Sequence, residues 1–205
     1  SDSASEALLA EAVQSLDAFP WAEAHLDAWR DAYRAFGAKP KKTPCSAEAL
    51  RKRAVKDGAM RSLNAVVDLY NAVSLRFAIP VGGEDATTYA GLPRLCFAKG
   101  DEPFHTMADG QPVIDTAELG EVIWHDDHGV TCRRWNWRQG PRTQITEASG
   151  DMWFVLERLD PMPVTALLDA GRMLMGGLRR ISPELVLSVH IFDVGNPRGE
   201  PLAGM

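Results

Sequence analysis

Residues 63–85 read LNAVVDLYNAVSLRFAIPVGGED, and this stretch separates a helical part of the chain from a β-rich part. Apolar side chains recur at the spacing of a helix face from Leu63 to Phe77, and Pro80 ends that pattern. The segment VGGED, residues 81–85, is then predicted to be a glycine turn. Helical patterns come before this stretch and strand-like segments after it, so the predicted fold class is α+β.

The amino-terminal part of the chain predicts three helices. Residues 4–36 carry two apolar stripes at helical spacing, separated by Pro20. Ser46 begins a third helix, which extends to about Lys56. We expect residues 1–58 to form a helical extension.

The carboxy-terminal part predicts antiparallel strands and one more helix. Strands are predicted at 92–98, 121–138 as a hairpin, 143–148, 152–159 and 185–194, with a loop or hairpin at 99–113 and a helix at 163–180. Residues 59–205 are expected to be an α+β domain that forms one compact unit with the extension.

Composition and charge exclude several classes of protein. The 205 residues carry a net charge of −6, which excludes a protein that binds polyanions through bulk charge alone. No apolar run approaches the ~18 residues that a membrane span needs, and the first residues lack a signal-peptide pattern. Cys45, Cys96 and Cys132 are odd in number and not in C-x-x-C spacing. We expect a reduced, cytoplasmic protein with no membrane partner, no metal and no cofactor.

Basic residues cluster in one part of this acidic chain. From Lys39 to Arg61 there are eight basic residues and only two acidic ones. A local patch of this kind is typical of proteins that bind a phosphate backbone. A solvated helix face is the alternative.

A second feature is RRWNWR, residues 133–138. On a strand, alternation places Arg134, Asn136 and Arg138 on one face and the other three residues on the opposite face. Aromatic and guanidinium planes can stack on bases or on the terminal adenosine of an RNA. Cross-strand packing is the alternative interpretation.

A third feature is a polar stripe that leads into glycines. Asn64, Asp68 and Asn71 share a face of the predicted helix, and Gly82 and Gly83 follow it. Glycines let a backbone approach a ligand closely, and an asparagine can donate and accept at once. The alternative is a helix surface followed by a plain turn.

Four segments together resemble one known family. They are NAVVDLYNAVSLRFAIPVGGED (64–85), GDEPF (100–104), EVIWHDDHGVTCRRWNWR (121–138) and RTQIT (142–146). The family comprises stand-alone relatives of the tRNA-editing B-three/B-four domain of the bacterial phenylalanyl-tRNA synthetase β subunit. The resemblance implies N-terminal helices packed on a mostly antiparallel, β-sandwich-like core in three layers. It also implies binding of the aminoacylated 3′ end of a tRNA.

The family's pocket residues carry over only in part. Its Val-Asp-x-Thr-Asn segment matches residues 67–71, so the asparagine is present as Asn71 and Tyr70 replaces the threonine. The family's pocket histidine corresponds to Gly82. Its small glycine-rich stretch falls on residues 135–139, where the chain has bulky side chains instead.

The family's pocket glutamate falls near Val155. Glu157 lies two residues further on, and we do not equate the two positions. The resemblance therefore implies a reshaped pocket, with Trp137 and Arg138 filling part of it, and tyrosine is not the expected acyl group.

The predicted function is that of an aminoacyl-tRNA deacylase, which hydrolyses the ester of mischarged tRNA in trans and so serves translation fidelity. The residues predicted to contact the reacting acyl end are Asn71, Gly82 and Gly83. The residues predicted to shape the pocket are Tyr70, Asp85, Asn136, Trp137 and Arg138. The residues predicted to bind tRNA phosphates are Lys41, Lys42, Arg51 and Lys52.

Two alternatives remain open. One is a non-catalytic tRNA-binding module, which the absent pocket histidine and glutamate favour. The other is an esterase or amidase that acts on a small acyl substrate. The oligomeric state, the amino acid and the tRNA are not predicted.

Overall fold

The computed structural model describes residues 3–201 and is built from helices and short strands. The helices are α1 (Ser3–Gln14), α2 (Ala22–Ala35), α3 (Ser46–Asp57), α4 (Ala65–Phe77) and α5 (Val164–Ile181). The strands are β1 (Val81–Asp85), β2 (Arg94–Phe97), β3 (Pro103–Ala108), β4 (Gln111–Thr116), β5 (Val122–His125), β6 (Val130–Arg133), β7 (Arg138–Gln139), β8 (Met152–Leu156), β9 (His190–Ile191) and β10 (Glu200–Pro201). Within the described residues, no helix is long and apolar enough to cross a membrane.

The strands pair antiparallel throughout the described part of the chain. β1 pairs with β8, β3 with β4, and β9 with β10, while β2, β5, β6 and β7 form a sheet in that order. The predicted α+β class with amino-terminal helices is confirmed.

Helix α4 lies at the centre of the molecule. It begins at the N-cap Asn64, whose side chain accepts a hydrogen bond of 2.9 Å from the Val67 N–H. Leu69, Val73 and Leu75 are fully buried, because α1, α3, α5 and β1 all pack around this helix. α4 therefore lies directly beside β1.

The polar stripe predicted on α4 has two structural members. Asn64 is the N-cap, and buried Asp68 accepts hydrogen bonds from the Leu63 N–H at 2.9 Å and the Ser62 hydroxyl at 2.5 Å. Both residues therefore fix the start of the helix. Asn71 is the member of the stripe that remains for binding.

Helix α2 is joined to this centre by a buried histidine. His25 Nδ1 lies 2.9 Å from the Ala78 carbonyl oxygen, and Nε2 accepts from the Leu159 N–H at 3.2 Å and the Trp29 indole at 3.1 Å. Burial lowers the pKa of His25, so the ring is neutral, with the proton on Nδ1. One side chain thus connects α2 to the end of α4 and to the segment after β8.

Residues 81–85 form strand β1, so the predicted glycine turn is wrong. Gly83 is a glycine within a strand because the neighbouring segments of the chain come too close to leave room for a side chain. A Cβ there would lie 2.9 Å from the Phe154 ring and 3.0 Å from Ile145. The glycines thus permit close strand pairing, and no turn of free N–H groups forms.

The RRWNWR segment is a tight turn between β6 and β7, so the strand alternation predicted for it is wrong. Arg134 and Trp135 both have positive φ, 46° and 66°. Consecutive left-handed residues reverse the chain, which a period-two pattern cannot anticipate.

Two further strand predictions fail. Residues 143–148 make one isolated bridge, Glu84 to Gln144, and are otherwise irregular. Of residues 185–194, only His190–Ile191 is strand, and several apolar side chains around it are exposed. Apolar β-prone composition alone does not create a strand when no partner strand lies beside it.

Candidate functional site

A cavity of about 200 Å³ lies between α4, the β1–β8 pair and the turn at residues 134–137. Four indoles form much of its wall: Trp124, Trp135, Trp137 and Trp153. The polar side chains in the wall include Asn71, Asn136, Gln139, Glu84 and Glu157. Among the described residues, no lysine, arginine or histidine lines it. A small, largely aromatic cavity with a few polar groups is the usual character of a ligand site.

The turn that carries two of the indoles is anchored by a buried ion pair. Arg133 Nε and Nη2 donate to the two carboxylate oxygens of Glu121 at 2.8 and 2.7 Å, and both side chains are almost fully buried. The backbone N–H of Trp135 also donates to the Val122 carbonyl at 2.6 Å. These bonds hold the left-handed residues in place, and they direct the following side chains toward the cavity.

The second arginine of the turn is also occupied. Arg134 pairs with Glu118 at 2.8 Å and lies over the Trp137 ring, 4.7 Å from its centroid. Arg133 and Arg134 thus build the turn and are not free for base stacking.

Glu157 is the central polar group of the cavity. Its Oε1 accepts from the Trp135 indole N–H at 2.6 Å, and its Oε2 accepts from the Asn136 amide at 2.9 Å. Asn136 Oδ1 in turn accepts from the Tyr33 hydroxyl at 2.8 Å and from the Ser46 N–H at 3.2 Å. The amino-terminal helices therefore position this carboxyl through Asn136.

The environment of Glu157 alters its protonation. Burial raises the pKa of Glu157, and Asn136, Trp135 and the Trp124 indole act in the opposite direction without restoring it. A carboxyl in this environment binds protons more readily than an exposed one, and an incoming positive charge would favour its ionised form.

Glu84 is a second buried carboxyl in the wall, and burial likewise raises its pKa. It accepts hydrogen bonds from the Tyr89 hydroxyl, from the Thr143 hydroxyl at 2.7 Å and from the Gln139 amide at 3.3 Å. These partners come from separate segments. Glu84 therefore holds β1, β7 and the turn after β7 together.

Several polar atoms at the cavity have no partner. Within residues 3–201, the buried side-chain atoms without a hydrogen bond are Ser46 Oγ, Glu48 Oε2, Trp124 Nε1 and Trp153 Nε1. Three of these four belong to residues that line the cavity. The Asn71 amide also makes no hydrogen bond to any described residue. Unsatisfied buried donors are costly, and this concentration of them fits a site completed by a ligand.

The cavity contains one thiol, which is not suited to nucleophilic attack. Burial and the nearby carboxylates of Glu84 and Glu157 raise the pKa of Cys132 well above its ordinary value. The reactive thiolate is therefore scarce at neutral pH. Among the described residues there is no group of three or more His, Cys, Asp or Glu side chains that could hold a metal ion.

The structure brings together five of the eight predicted acyl-end and pocket residues. Tyr70, Asn71, Gly82, Asn136 and Trp137 all line the cavity. They come from α4, β1 and the turn before β7.

The other three lie outside the cavity wall. Gly83 does not line the cavity, and a Cβ at this position would meet Phe154 and Ile145 instead. Asp85 caps the short turn after β1, where it accepts from the Thr87 N–H at 2.9 Å. Arg138 is exposed and donates to the Met107 carbonyl at 3.2 Å, so an arginine does not fill the pocket.

The predicted phosphate-binding residues divide into two kinds. Arg51 donates to the Leu75 carbonyl at 3.0 Å and its side chain is only 12% exposed, so it stabilises the end of α4. Lys52 pairs with Glu48 at 2.6 Å but stays largely exposed. Lys41 and Lys42 are exposed and form no ion pair with any described residue. Of the four predicted phosphate-binding residues, Lys41 and Lys42 are therefore the two without an ion-pair partner among the described residues.

Sequence reasoning missed several groups in the wall. Glu157 comes directly after β8 and lines the cavity; its alternation with Val155 is visible in the sequence, but no role was predicted for it. Glu84 is two residues after Gly82. The same alternation could have identified Glu84, had residues 81–85 been interpreted as a strand.

A larger depression of about 250 Å³ lies beside α1. Of the described residues that line it, Glu6 alone is charged, and it already accepts from the Ser62 hydroxyl at 3.1 Å. Because this lining offers no further titratable group, the tryptophan-lined cavity is the better candidate site.

Comparison with known proteins identifies the family. Residues 28–167 match the family described as the B3/4 domain, the domain found in the phenylalanyl-tRNA synthetase β subunit. The match covers well over half of the chain, so this protein belongs to the B3/4 domain family, as the four sequence segments predicted. No curated protein matches the chain. The family assignment indicates a tRNA-related function.

Proposed function

We propose that this protein hydrolyses the ester bond of mischarged aminoacyl-tRNA, with the acyl end bound in the tryptophan-lined cavity. The observation that carries the proposal is a small cavity, in a B3/4 domain, whose wall combines a free carboxamide, unpartnered donors and a buried carboxyl. Its size suits one aminoacyl group better than a drug-sized ligand, for which pockets of roughly 300 Å³ or more are usual.

The chemistry asked of the site is modest. An aminoacyl ester is already activated, so holding the carbonyl and a water in position supplies much of the rate. The Asn71 amide would donate to the carbonyl oxygen as negative charge develops there. The vicinal ribose hydroxyl of the substrate would help to orient the water.

The cavity wall would select the acyl group. Gly82 contributes no side chain, while Trp135 and Trp137 close the opposite side. Such a wall accepts a group that fits the space and excludes one that does not.

The basic segment at residues 38–44, between α2 and α3, supports RNA as the carrier of that ester. Lys42 lies four residues before Ser46, which lines the cavity, so their Cα atoms are within about 14 Å of each other. Lys41 and Lys42 would therefore bind phosphates of the acceptor stem while the 3′ end enters the cavity.

The test is deacylation of a panel of tRNAs charged with cognate and mismatched amino acids. Wild type should hydrolyse one acyl group selectively, and Asn71→Ala should lower that rate about a hundredfold by removing the carbonyl donor. Gln111→Ala removes an exposed amide on β4 and should retain the wild-type rate.

Two results would change the conclusion. Binding of tRNA without hydrolysis of any ester would favour the non-catalytic binding module. Hydrolysis of small acyl esters alone, unaffected by charge reversal of Lys41 and Lys42, would favour the esterase alternative.

A further inference from the structure

The two carboxyls of the cavity differ in how completely they are satisfied. An ionised carboxylate has about four acceptor positions. Glu84 accepts hydrogen bonds from Tyr89, Thr143 and Gln139, and the Arg142 guanidinium lies near enough to favour its charge.

Glu157 accepts two hydrogen bonds, both from neutral donors, and the third group that favours its charge, the nearby Trp124 indole, is neutral as well. The Trp135 indole binds one oxygen and the Asn136 amide binds the other, so these two bonds do not fill the four acceptor positions of the carboxylate. No basic side chain of residues 3–201 lines the cavity. The buried negative charge of Glu157 is therefore left without a counter-ion from this part of the chain.

The rest of the wall suits a positive charge. Four indoles surround the cavity, and a cation is attracted to the face of an indole. A cation within this wall would meet the Glu157 carboxylate and have indole rings near it. The arrangement disfavours a carboxylate-bearing group for the same reason.

An aminoacyl ester brings such a cation with it. Its α-amino group is largely protonated near neutral pH and donates up to three hydrogen bonds, whereas acylation of that nitrogen removes the charge. Building on the proposed function, we propose that Glu157 is the counter-ion of the substrate's α-ammonium group. The substrate class is then aminoacyl esters with an unblocked amine, and N-acylated aminoacyl esters are excluded.

The test is binding of two stable analogues by calorimetry. One is 3′-(L-alanyl)amino-3′-deoxyadenosine, and the other is its N-acetyl derivative. Alanine is small enough to enter whichever acyl pocket the cavity forms, and the amide link resists hydrolysis. Wild type should bind the free amine at least about tenfold more tightly than the acetylated form, as expected for a charge-assisted hydrogen bond.

Two variants test whether the preference for the free amine depends on Glu157. In Glu157→Gln the ratio of the affinities for the two analogues should fall to about one, because the carboxamide cannot neutralise the ammonium group. Glu147→Gln changes an exposed glutamate outside the cavity and should keep the preference. The comparison of the two analogues in wild type does not depend on how well either variant folds.

The outcomes separate this inference from the proposed function. Equal affinities in wild type, an unchanged preference in Glu157→Gln, or no binding of either analogue would overturn the inference. A clear preference for the free amine, in a protein that hydrolyses no aminoacyl-tRNA, would support the ammonium site and refute only the deacylase proposal.

Discussion

At the scale of single residues, Asn136 connects the amino-terminal helices to the candidate site. Its carbonyl oxygen accepts from Tyr33 and from the Ser46 N–H, which leaves its NH₂ group directed to Glu157. The bonds from Tyr33 and Ser46 therefore fix the orientation of the amide, and its NH₂ group donates to Glu157. Small changes at this position should affect both stability and pH dependence.

The substitution Asn136→Asp tests this connection. It replaces a donor to Glu157 with a second carboxylate, and like charges at this distance raise the pKa of the pair. We expect a loss of about 2 kcal/mol in the free energy of unfolding at neutral pH. Because a raised folded-state pKa costs stability above that pKa, the loss should shrink as the pH falls from about 8 to about 5.

Denaturant unfolding at several pH values measures the effect. Gln111→Glu makes the same amide-to-acid change on the exposed strand β4 and should cost little at any pH. A loss for Asn136→Asp that grows on acidification would contradict the proposed contact with Glu157.

At the scale of elements, the packing of α5 on α4 depends on one glycine. A Cβ at Gly177 would lie 2.3 Å from Leu69 Cδ1, while one at Gly176 would meet nothing within 4 Å. The two neighbouring glycines thus form a matched pair. One faces the core and the other faces solvent.

We expect opposite effects from the two alanine substitutions. Gly177→Ala should destabilise the protein by about 1–3 kcal/mol, because it overpacks the α4–α5 contact. Gly176→Ala should stabilise it by up to about 1 kcal/mol through higher helix propensity. Thermal unfolding measures both, and equal effects from the two would show that α5 does not pack on Leu69 in this way.

The buried His25 predicts a pH dependence of the α2 attachment. Its folded-state pKa is lowered by burial, so the unfolded chain binds a proton more readily. The stability that the neutral ring provides is complete above the unfolded pKa of about 6.5 and is lost as the pH falls below it. His25→Gln should be less stable than wild type at neutral pH, and the difference should narrow between about pH 7 and pH 5. A constant difference would mean that the ring does not titrate with unfolding.

The elements differ in how far sequence could predict them. α2, α4 and α5 have long, strongly periodic patterns, so their positions were predicted closely. β1 was mistaken for a turn, because its glycines reflect the approach of Phe154, a contact distant in sequence.

The candidate site could be predicted only where a local pattern or the family resemblance marked it. Asn71 and Gly82 were predicted from the polar stripe and the glycines after it, Trp137 was singled out within RRWNWR, and the resemblance pointed to all three; they line the cavity. Glu84 and Trp124 were missed, since their place in the wall depends on strand pairing and on a turn of left-handed residues. The bond from Arg51 to a carbonyl at the end of α4 could not be predicted, because counting charges in a sequence does not show backbone partners.

At the scale of the whole molecule, the chain is acidic, yet two free lysines lie close in sequence to a residue of the cavity. Net charge therefore disfavours non-specific binding of nucleic acid, and we propose that Lys41 and Lys42 in residues 38–44 bind it locally. This distribution suits a protein that approaches one end of an RNA.

The double substitution Lys41→Glu, Lys42→Glu should weaken tRNA binding and reduce its salt dependence. Two lost phosphate contacts should lower the slope of log K against log salt concentration by about 1.5. Lys99→Glu reverses an exposed lysine in the loop before β3 and should leave the slope unchanged. Filter binding at several salt concentrations measures this, and the same slope for all three proteins would place the RNA elsewhere.

The central claim is that the tryptophan-lined cavity binds the acyl end of aminoacyl-tRNA. The most direct measurement is a crystal structure with 3′-(L-alanyl)amino-3′-deoxyadenosine bound. We predict electron density for the alanyl group inside the cavity, with its amine at Glu157 and its carbonyl at Asn71. Density at the depression beside α1, or an empty cavity at saturating ligand, would contradict the claim.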